Sequence, residues 1–235
     1  MAIMKFSTKI TLYNSCFDMN DNFTPKSILN IFQDVAALHA EYIGVGFEEM
    51  LKQNLYWVLS RIKFDIIKMP IPNQTVIVET WPHEKGRIDF DRDMKILDEN
   101  GETLVIATSK WCVIDTVSRS LQRTENVNYN GEICPDINYN DKFGKVVLPE
   151  NSLEGKFTHK VTFSDLDHNK HMNNTNYATL VSNAVENKLF SHFEINFLNE
   201  CLIDDEIVVK HAKSKDAEFV IGYVGDKQTF SAKTN

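Results

Sequence analysis

The feature that most limits the folds open to this chain is an echo of itself. Lys9-Ile-Thr-Leu-Tyr13 resembles Lys160-Val-Thr-Phe-Ser164, an offset of 151 residues from Lys9 to Lys160. Both segments alternate apolar and polar side chains, as a half-buried strand does. Each runs into a polar loop, 14–22 or 165–173, and then into a helical pattern. Thr24-Pro25 opens the first helix, with Thr24 as N-cap and Pro25 at the first helical position. Ile28, Ile31, Phe32, Val35 and Leu38 then recur at helical spacing. In the second copy Asn173 or Asn174 caps a helix whose apolar face carries Tyr177, Leu180, Val181 and Ala184.

The echo resumes downstream. Arg61-Ile-Lys-Phe64 matches Glu194-Ile-Asn-Phe197 at an offset of 133, and both copies continue into β-branched strands, Gln74–Val78 and Glu206–Val209. The helix-to-strand stretch is therefore 18 residues shorter in the second copy, a difference that loops absorb while a repeated core persists. Further strands fall at 88–97 and 103–115, with a hairpin at Asp98-Glu-Asn-Gly101 between them. The last strands, 217–224 and 228–232, meet at Gly225-Asp226. Residues 124–150, rich in Asn, Asp, Gly and Pro, read as a connector. The unit is strand, loop, long helix and antiparallel meander, used twice; its composition is that of an α+β layer. The boundaries expected are 1–123 for the first half, 124–150 for the connector and 151–235 for the second half.

Composition removes several classes of function. The chain of 235 residues carries a formal net charge of −8, against the basic face that nucleic-acid binding requires. No apolar run approaches the ~20 residues that cross a bilayer, and Met1–Lys9 lacks the apolar core of a secretory signal. Cys16, Cys112, Cys134 and Cys201 lie far apart with no Cys-x-x-Cys pair, which disfavours a zinc site or disulfide framework and suits a reducing cytoplasm. Phenylalanine is abundant at 15 residues. Phe17, Phe23, Phe32, Phe47, Phe64, Phe90, Trp57 and Trp81 either fill a core or line a tunnel for an apolar chain, core being the commoner fate of each.

Chemistry concentrates in the second polar loop. Asp165, Asp167, His168, Asn169, His171, Asn173 and Asn174 stand within ten residues between a strand and a helix. A lone Asp or Asn there is ordinarily a turn former or cap, but two histidines among carboxylates and carboxamides suggest a site on a rigidly held loop. Asp167, Asn169 and His171 fall at every second residue. In an extended segment they share one face and His168 and Lys170 take the other, which makes His171 the reacting histidine. Asp165, Asp167, His168 and His171 are also metal-ligand types, but no second His/Cys cluster completes a set.

The run Asp165-Leu-Asp-His-Asn-Lys-His-Met-Asn-Asn-Thr-Asn-Tyr177 resembles the active-site motif of the plant and bacterial acyl-acyl-carrier-protein (acyl-ACP) thioesterases, Asp-x-Asp-x-Asn-x-His-x-Asn-Asn-x-x-Tyr. In that family it falls in the second of two fused hotdog halves. Asn199-Glu-Cys201 resembles the family's Glu-Cys pair on the strand after the helix, and Tyr56–Arg61 with Trp111 resemble its first half. A simpler form of the motif runs through hotdog acyl-CoA thioesterases; Asn169 tilts the resemblance to the carrier-protein family.

The resemblance implies a double hotdog that hydrolyses fatty acyl-ACP to free fatty acid. It implies Asp167, Asn169, His171 and Glu200 as catalytic residues, with Cys201 at a position assigned as a nucleophile. It implies no metal or organic cofactor, an acyl carrier protein bearing a phosphopantetheine-linked chain as partner, and further pairing as a homodimer. Arg61, Lys63, Lys68, Arg119 and Arg123 are candidate contacts for that acidic partner. At the 151-residue offset, Cys16, Asp18 and Asn20 oppose Asp167, Asn169 and His171. The first half then lacks the histidine and serves as a scaffold.

Two mechanisms compete. In one, Glu200 or His171 deprotonates a water, Asn169 positions the water or carbonyl, and the N-terminus of the second long helix stabilises the oxyanion. In the other, Cys201 attacks with His171 as base and Asn169 as orienter; a free cysteine on a strand is more often a small buried hydrophobe. An acyl-CoA thioesterase and a non-catalytic acyl-binding hotdog protein are the alternatives. A dehydratase would need a catalytic His paired with a Glu or Asp on a central helix; the first helix contains His39 and Glu41, but at adjacent-face spacing, which disfavours that reading.

Overall fold

The structure, a computed structural model, describes residues 5–129, 133–141, 143–148, 153–186 and 189–235. The N-terminal Met1–Met4 of the leader reading and positions 130–132, 142 and 149–150 of the connector lie outside the described residues. The chain divides into two compact units, residues 1–23 with 30–142, and 24–29 with 143–235.

The first unit contains β1 (Phe6–Leu12), all of α1 (Pro25–Tyr42) but its first residues 25–29, α2 (Phe47–Lys52), β2 (Leu55–Ile66), β3 (Gln74–Pro82), β4 (Phe90–Asp98) and β5 (Thr103–Asp115). Its strands lie antiparallel in the order β1-β3-β4-β5-β2. The second unit contains β6 (Glu154–Lys160), α3 (Asn174–Ala184), β7 (His192–Phe197), β8 (Glu206–Lys213), β9 (Glu218–Val224) and β10 (Lys227–Thr234). Its order is β6-β8-β9-β10-β7, the same topology strand for strand. The α+β double hotdog is thus present, a long helix accompanying each five-stranded antiparallel sheet.

The capping signals hold. Thr24 Oγ1 accepts from the Ser27 amide at 3.2 Å, and Asn173 Oδ1 accepts from the Thr175 amide at 2.9 Å. Along α1 the buried face runs through Ile28, Phe32, Val35 and His39, whereas Leu38 is 53% exposed. Ile28, Ile31, Phe32 and Val35 of the expected stripe are buried and only Leu38 is not: the sequence pattern preferred an apolar Leu to the adjacent His, and the 3.6-residue period places His39 inward. In the second unit Tyr177, Leu180, Val181 and Ala184 are all buried, and the Tyr177 ring meets Phe197 and Phe230 edge-on at 5.6 and 5.4 Å.

Strand pairing corrects the offsets of the echo. Thr11 pairs with Thr75 in the first unit and Lys160 with Glu206 in the second, which relates the copies by 149 and 131 residues rather than 151 and 133. The turn before β3 and β8 agrees: Asn73 and Asp204 both take a left-handed backbone, with φ of 64° and 69°. The error was two residues each time, because a strand that alternates faces looks the same after a slip of two.

Of the aromatic residues considered for a tunnel, Phe23, Phe32, Phe64 and Trp81 are fully buried core and Phe47 is exposed. Phe90 and Trp57 belong to a cluster with Val45, Met50, Leu55, Val113 and Tyr129. Residues 133–141 form no strand or helix, yet they are strapped to the first sheet. The Asn138 amide donates to Asp93 Oδ2 at 2.6 Å and its carboxamide to the carbonyls of Met94 and Ala107.

Candidate active site

The loop between β6 and α3 is a turn, not the extended segment that the every-second-residue spacing suggested. The Asp167 amide donates to the His171 carbonyl at 2.8 Å, and the Lys170 amide to the Asp167 carbonyl at 3.0 Å. The Asp167 carboxylate folds back to accept from the amides of Asn169 and His171 at 2.8 and 3.4 Å. Lys170 is left-handed, with φ of 64°. The side chain of Asp167 satisfies its own backbone, and this local competition overrides alternation.

The same turn occurs twice more. In Asp18-Met-Asn-Asp-Asn22 the carboxylate accepts from the amides of Asn20 and Asn22, and Asp21 is left-handed. In the β4–β5 hairpin Asp98 accepts from the amides of Asn100 and Glu102, and Gly101 is left-handed. All three read Asp-x-Asn, then a left-handed residue. Asp167 and the backbone of Asn169 are therefore accounted for by the turn. The corrected offset sets Asp18, Asn20 and Asn22, not Cys16, Asp18 and Asn20, against Asp167, Asn169 and His171. The first unit still has no histidine there; Asn22 takes its place.

Around this turn a second set of contacts fixes its ends. Leu166 and Met172 form an antiparallel bridge, and the Met172 amide donates to the Cys201 carbonyl at 2.9 Å. That bond holds the loop beside the segment after β7, so Glu200 comes to His171: Nε2 and Oε2 are 3.2 Å apart. Both side chains are partly open to solvent, at 21% and 39% of full exposure. The 131-residue offset gives Met69 opposite Glu200 and Pro70 opposite Cys201. Both halves of the His–Glu pair are thus missing from the first unit.

Cys201, next in sequence to Glu200, does not share its exposure. Its side chain is fully buried, burial pushes its thiol above the usual cysteine range, and the Tyr177 hydroxyl hydrogen-bonds it. A nucleophilic cysteine needs the opposite surroundings. The carboxamide of Asn169, by contrast, makes no hydrogen bond among the described residues. Among them, too, no three His, Cys, Asp or Glu side chains converge as a metal set would require.

Sequence reading did not find the support beneath the loop. Asp165 Oδ2 accepts from the Thr162 amide at 2.8 Å and hydroxyl at 2.9 Å, and lies 3.1 Å from His159 Nε2. Burial opposes its ionisation, but these partners outweigh it and hold the carboxyl below the usual range. The Asp165 carbonyl accepts from the Asn173 amide and the Asn176 carboxamide, tying the loop to α3. The spacing Thr162-x-x-Asp165 is a legible capping box; nothing in the sequence links His159 to it.

Other candidates are occupied elsewhere. His39 is buried, its Nδ1 2.8 Å from Arg92 Nη1, and Glu41 accepts from the Phe47 amide at 3.0 Å, so the two do not form a dehydratase pair. Among the candidate docking residues Lys63 is a correction: it is buried, 2.8 Å from Asp141 and over the Tyr139 ring. A lysine is ordinarily solvated, but the strap at 133–141 covers that face.

Fold and loop together define the class: a double-hotdog protein whose His–Glu pair is confined to its second unit. Two family models match it, the acyl-ACP thioesterase N-terminal domain over residues 4–130 and the C-terminal domain over 150–233. The chain belongs to the acyl-ACP thioesterase family. It is 29% identical over 214 residues to a chloroplastic acyl-[acyl-carrier-protein] hydrolase of Cuphea viscosissima, covering 82% of this chain and 52% of that protein. It is 30% identical over 209 residues to oleoyl-acyl carrier protein thioesterase 2 of Arabidopsis thaliana, covering 80% and 57%. The chain thus spans about half the length of these curated relatives. Its fold matches the solved acyl-ACP thioesterase of Bacteroides thetaiotaomicron with a TM-score of 0.86 at 23% identity, covering 98% of this chain and 97% of that one. It matches the 12:0-ACP thioesterase of Umbellularia californica with a TM-score of 0.86 at 22% identity, covering 100% and 98%.

Proposed function

We propose that this protein hydrolyses the thioester of fatty acyl-ACP and releases free fatty acid. The observation that carries the reading is the His171–Glu200 pair, set 3.2 Å apart between the loop that leads into α3 and the segment after β7, and absent from the first unit. Glu200 takes a proton from a water, whose oxygen forms a bond to the thioester carbon. The carbonyl electrons collect on an oxyanion, met by the Asn174 amide and the positive end of α3. As the carbonyl re-forms and the C–S bond breaks, the proton taken by Glu200 passes to His171 across the 3.2 Å between them, and His171 delivers it to the leaving thiolate, which departs on the phosphopantetheine arm. Asn169 orients water or carbonyl with its free carboxamide. Asp167 acts through the backbone by holding the turn, and the burial of Cys201 favours the water route over a cysteine nucleophile.

The first unit, with Asn22 and Met69 at the matching positions, serves as scaffold. The boundaries 1–123, 124–150 and 151–235, a homodimer and a reducing cytoplasm complete the reading. Four free cysteines support the last, and no helix among the described residues is long and apolar enough to cross a membrane. The carrier assignment rests on the family. Hydrolysis rates on acyl-ACP and acyl-CoA of equal chain length test it: faster turnover of acyl-ACP is expected, and equal or faster turnover of acyl-CoA would move the substrate to coenzyme A. No turnover of either would leave an acyl-binding protein.

A further inference from the structure

Beneath the reacting loop lies a side-chain network that the turn itself does not require. Three donors converge on one oxygen: Asp165 Oδ2 accepts from the Thr162 amide and hydroxyl and lies 3.1 Å from His159 Nε2. An ionised carboxylate only accepts, so Nε2 of His159 carries the proton of that bond. The backbone of the same aspartate makes a second link. Its carbonyl accepts from the Asn173 amide at 2.8 Å and the Asn176 carboxamide at 3.0 Å. Asn173 is the N-cap of α3, next to the Asn174 amide assigned to the oxyanion. Asp165 thus ties the end of β6 to the start of α3, and the loop of Asn169 and His171 is strung between them.

The first unit shows what this network is not for. At the 149-residue offset Ile10, Tyr13 and Cys16 stand in place of His159, Thr162 and Asp165. Neither a carboxylate nor an imidazole is among them, and Tyr13 makes no side-chain capping bond. The backbone turn forms all the same. The Cys16 amide donates to the Tyr13 carbonyl at 2.9 Å, as the Asp165 amide donates to that of Thr162 at 3.0 Å. The bridge that closes the loop also recurs, Phe17 with Phe23 as Leu166 with Met172. A turn that folds without these three polar groups gains nothing in shape from them. What a satisfied polar network adds is stiffness. It lies under the loop that carries His171, whose reacting groups must hold their places to within about 0.5 Å.

We propose that Asp165 and His159 are positioning residues for hydrolysis, which stiffen the loop of His171 and Asn169 against the N-terminus of α3. The catalytic consequence rests on the thioesterase reading; the stiffening does not.

The test is amide hydrogen exchange of the full chain, read on peptides 166–173 and 17–24, together with acyl-ACP hydrolysis. Asp165→Cys and His159→Ile each give the second unit the residue that the first carries. Exchange over 166–173 should quicken about tenfold in Asp165→Cys and several-fold in His159→Ile, with 17–24 unchanged; a general loss of stability would speed both peptides. In both variants kcat should fall about 10–100-fold, the cost of displacing a reacting group by about an ångström, and KM should stay within about twofold. His159→Gln, which keeps a donor for Asp165, should restore most of the loss. His159→Ile leaves the Thr162 bonds and the backbone turn in place, so it reports on the pair even where Asp165→Cys fails to fold. Unchanged exchange over 166–173 would overturn the proposal, and so would faster exchange with kcat unaltered. Faster exchange in variants of a wild type that hydrolyses no acyl-ACP would overturn the thioesterase reading and uphold the stiffening.

Discussion

The loops 18–22 and 167–171 are one structure with two chemistries. Each begins on an Asp whose carboxylate takes two downstream amides, and each passes through a left-handed fourth residue. The hairpin at 98–102 shows that this turn needs no active site to exist. What separates the second copy is two side chains: His171 where the first has Asn22, and Glu200 where it has Met69. The comparison divides the motif into residues that build a turn and residues that react, a division no single loop could reveal.

The largest expected effect follows from making the second unit resemble the first. Glu200→Met should lower kcat about 10²–10⁴-fold, the usual worth of a positioned acid–base group, while the melting temperature stays put, since the carboxylate is partly exposed. Retained turnover would break the assignment of the general base.

Next in size is the contrast between a reacting histidine and a structural one. His39 is kept neutral by burial and by Arg92 down to about pH 4, whereas in the unfolded chain it protonates near 6.5. Between these values the unfolded state binds more protons, so stability falls as pH drops from about 6.5 to about 4. The total is up to about 3 kcal/mol. Urea unfolding across that window should show the loss, and His39→Asn, which keeps an acceptor for Arg92 but does not titrate, should flatten it. An equally steep profile in the variant would place the effect elsewhere.

Cys201→Ala should cost about 1 kcal/mol of stability through the void it leaves and change turnover by no more than a few-fold. Abolished turnover in a folded protein would restore the cysteine mechanism. The smallest effect tests the turn itself. Lys170 sits where the first unit has Asp21 and the hairpin has Gly101, and a lysine is the poorest of the three in a left-handed conformation. Lys170→Gly should raise stability by about 0.5–1 kcal/mol, measured by thermal melts.

Much of this was legible in the sequence. The duplication, both helix caps and the hairpin follow from local signals that tertiary structure left unchanged. The offsets were not legible to better than two residues, since Ile62 and Phe64 match Phe193 and Ile195 as well as they match Ile195 and Phe197. The loop was misread as extended because alternation in polar residues carries no information about burial, and Asp167 was free to bond its own backbone. Leu38 and Lys63 failed for a related reason: each was judged by side-chain type, while His39 is drawn inward by Arg92 and Lys63 is covered by a strap with no regular structure. The approach of Glu200 to His171 is long-range and became visible only through the family resemblance.

The central claim is that the second loop reacts because of His171 and not because of its turn. His171→Asn tests it most directly, for it gives the second unit the residue that the first already carries in the same conformation. Acyl-ACP hydrolysis by the purified variant should fall about 10²–10⁴-fold with the melting temperature unchanged. Turnover within a few-fold of wild type would contradict the account.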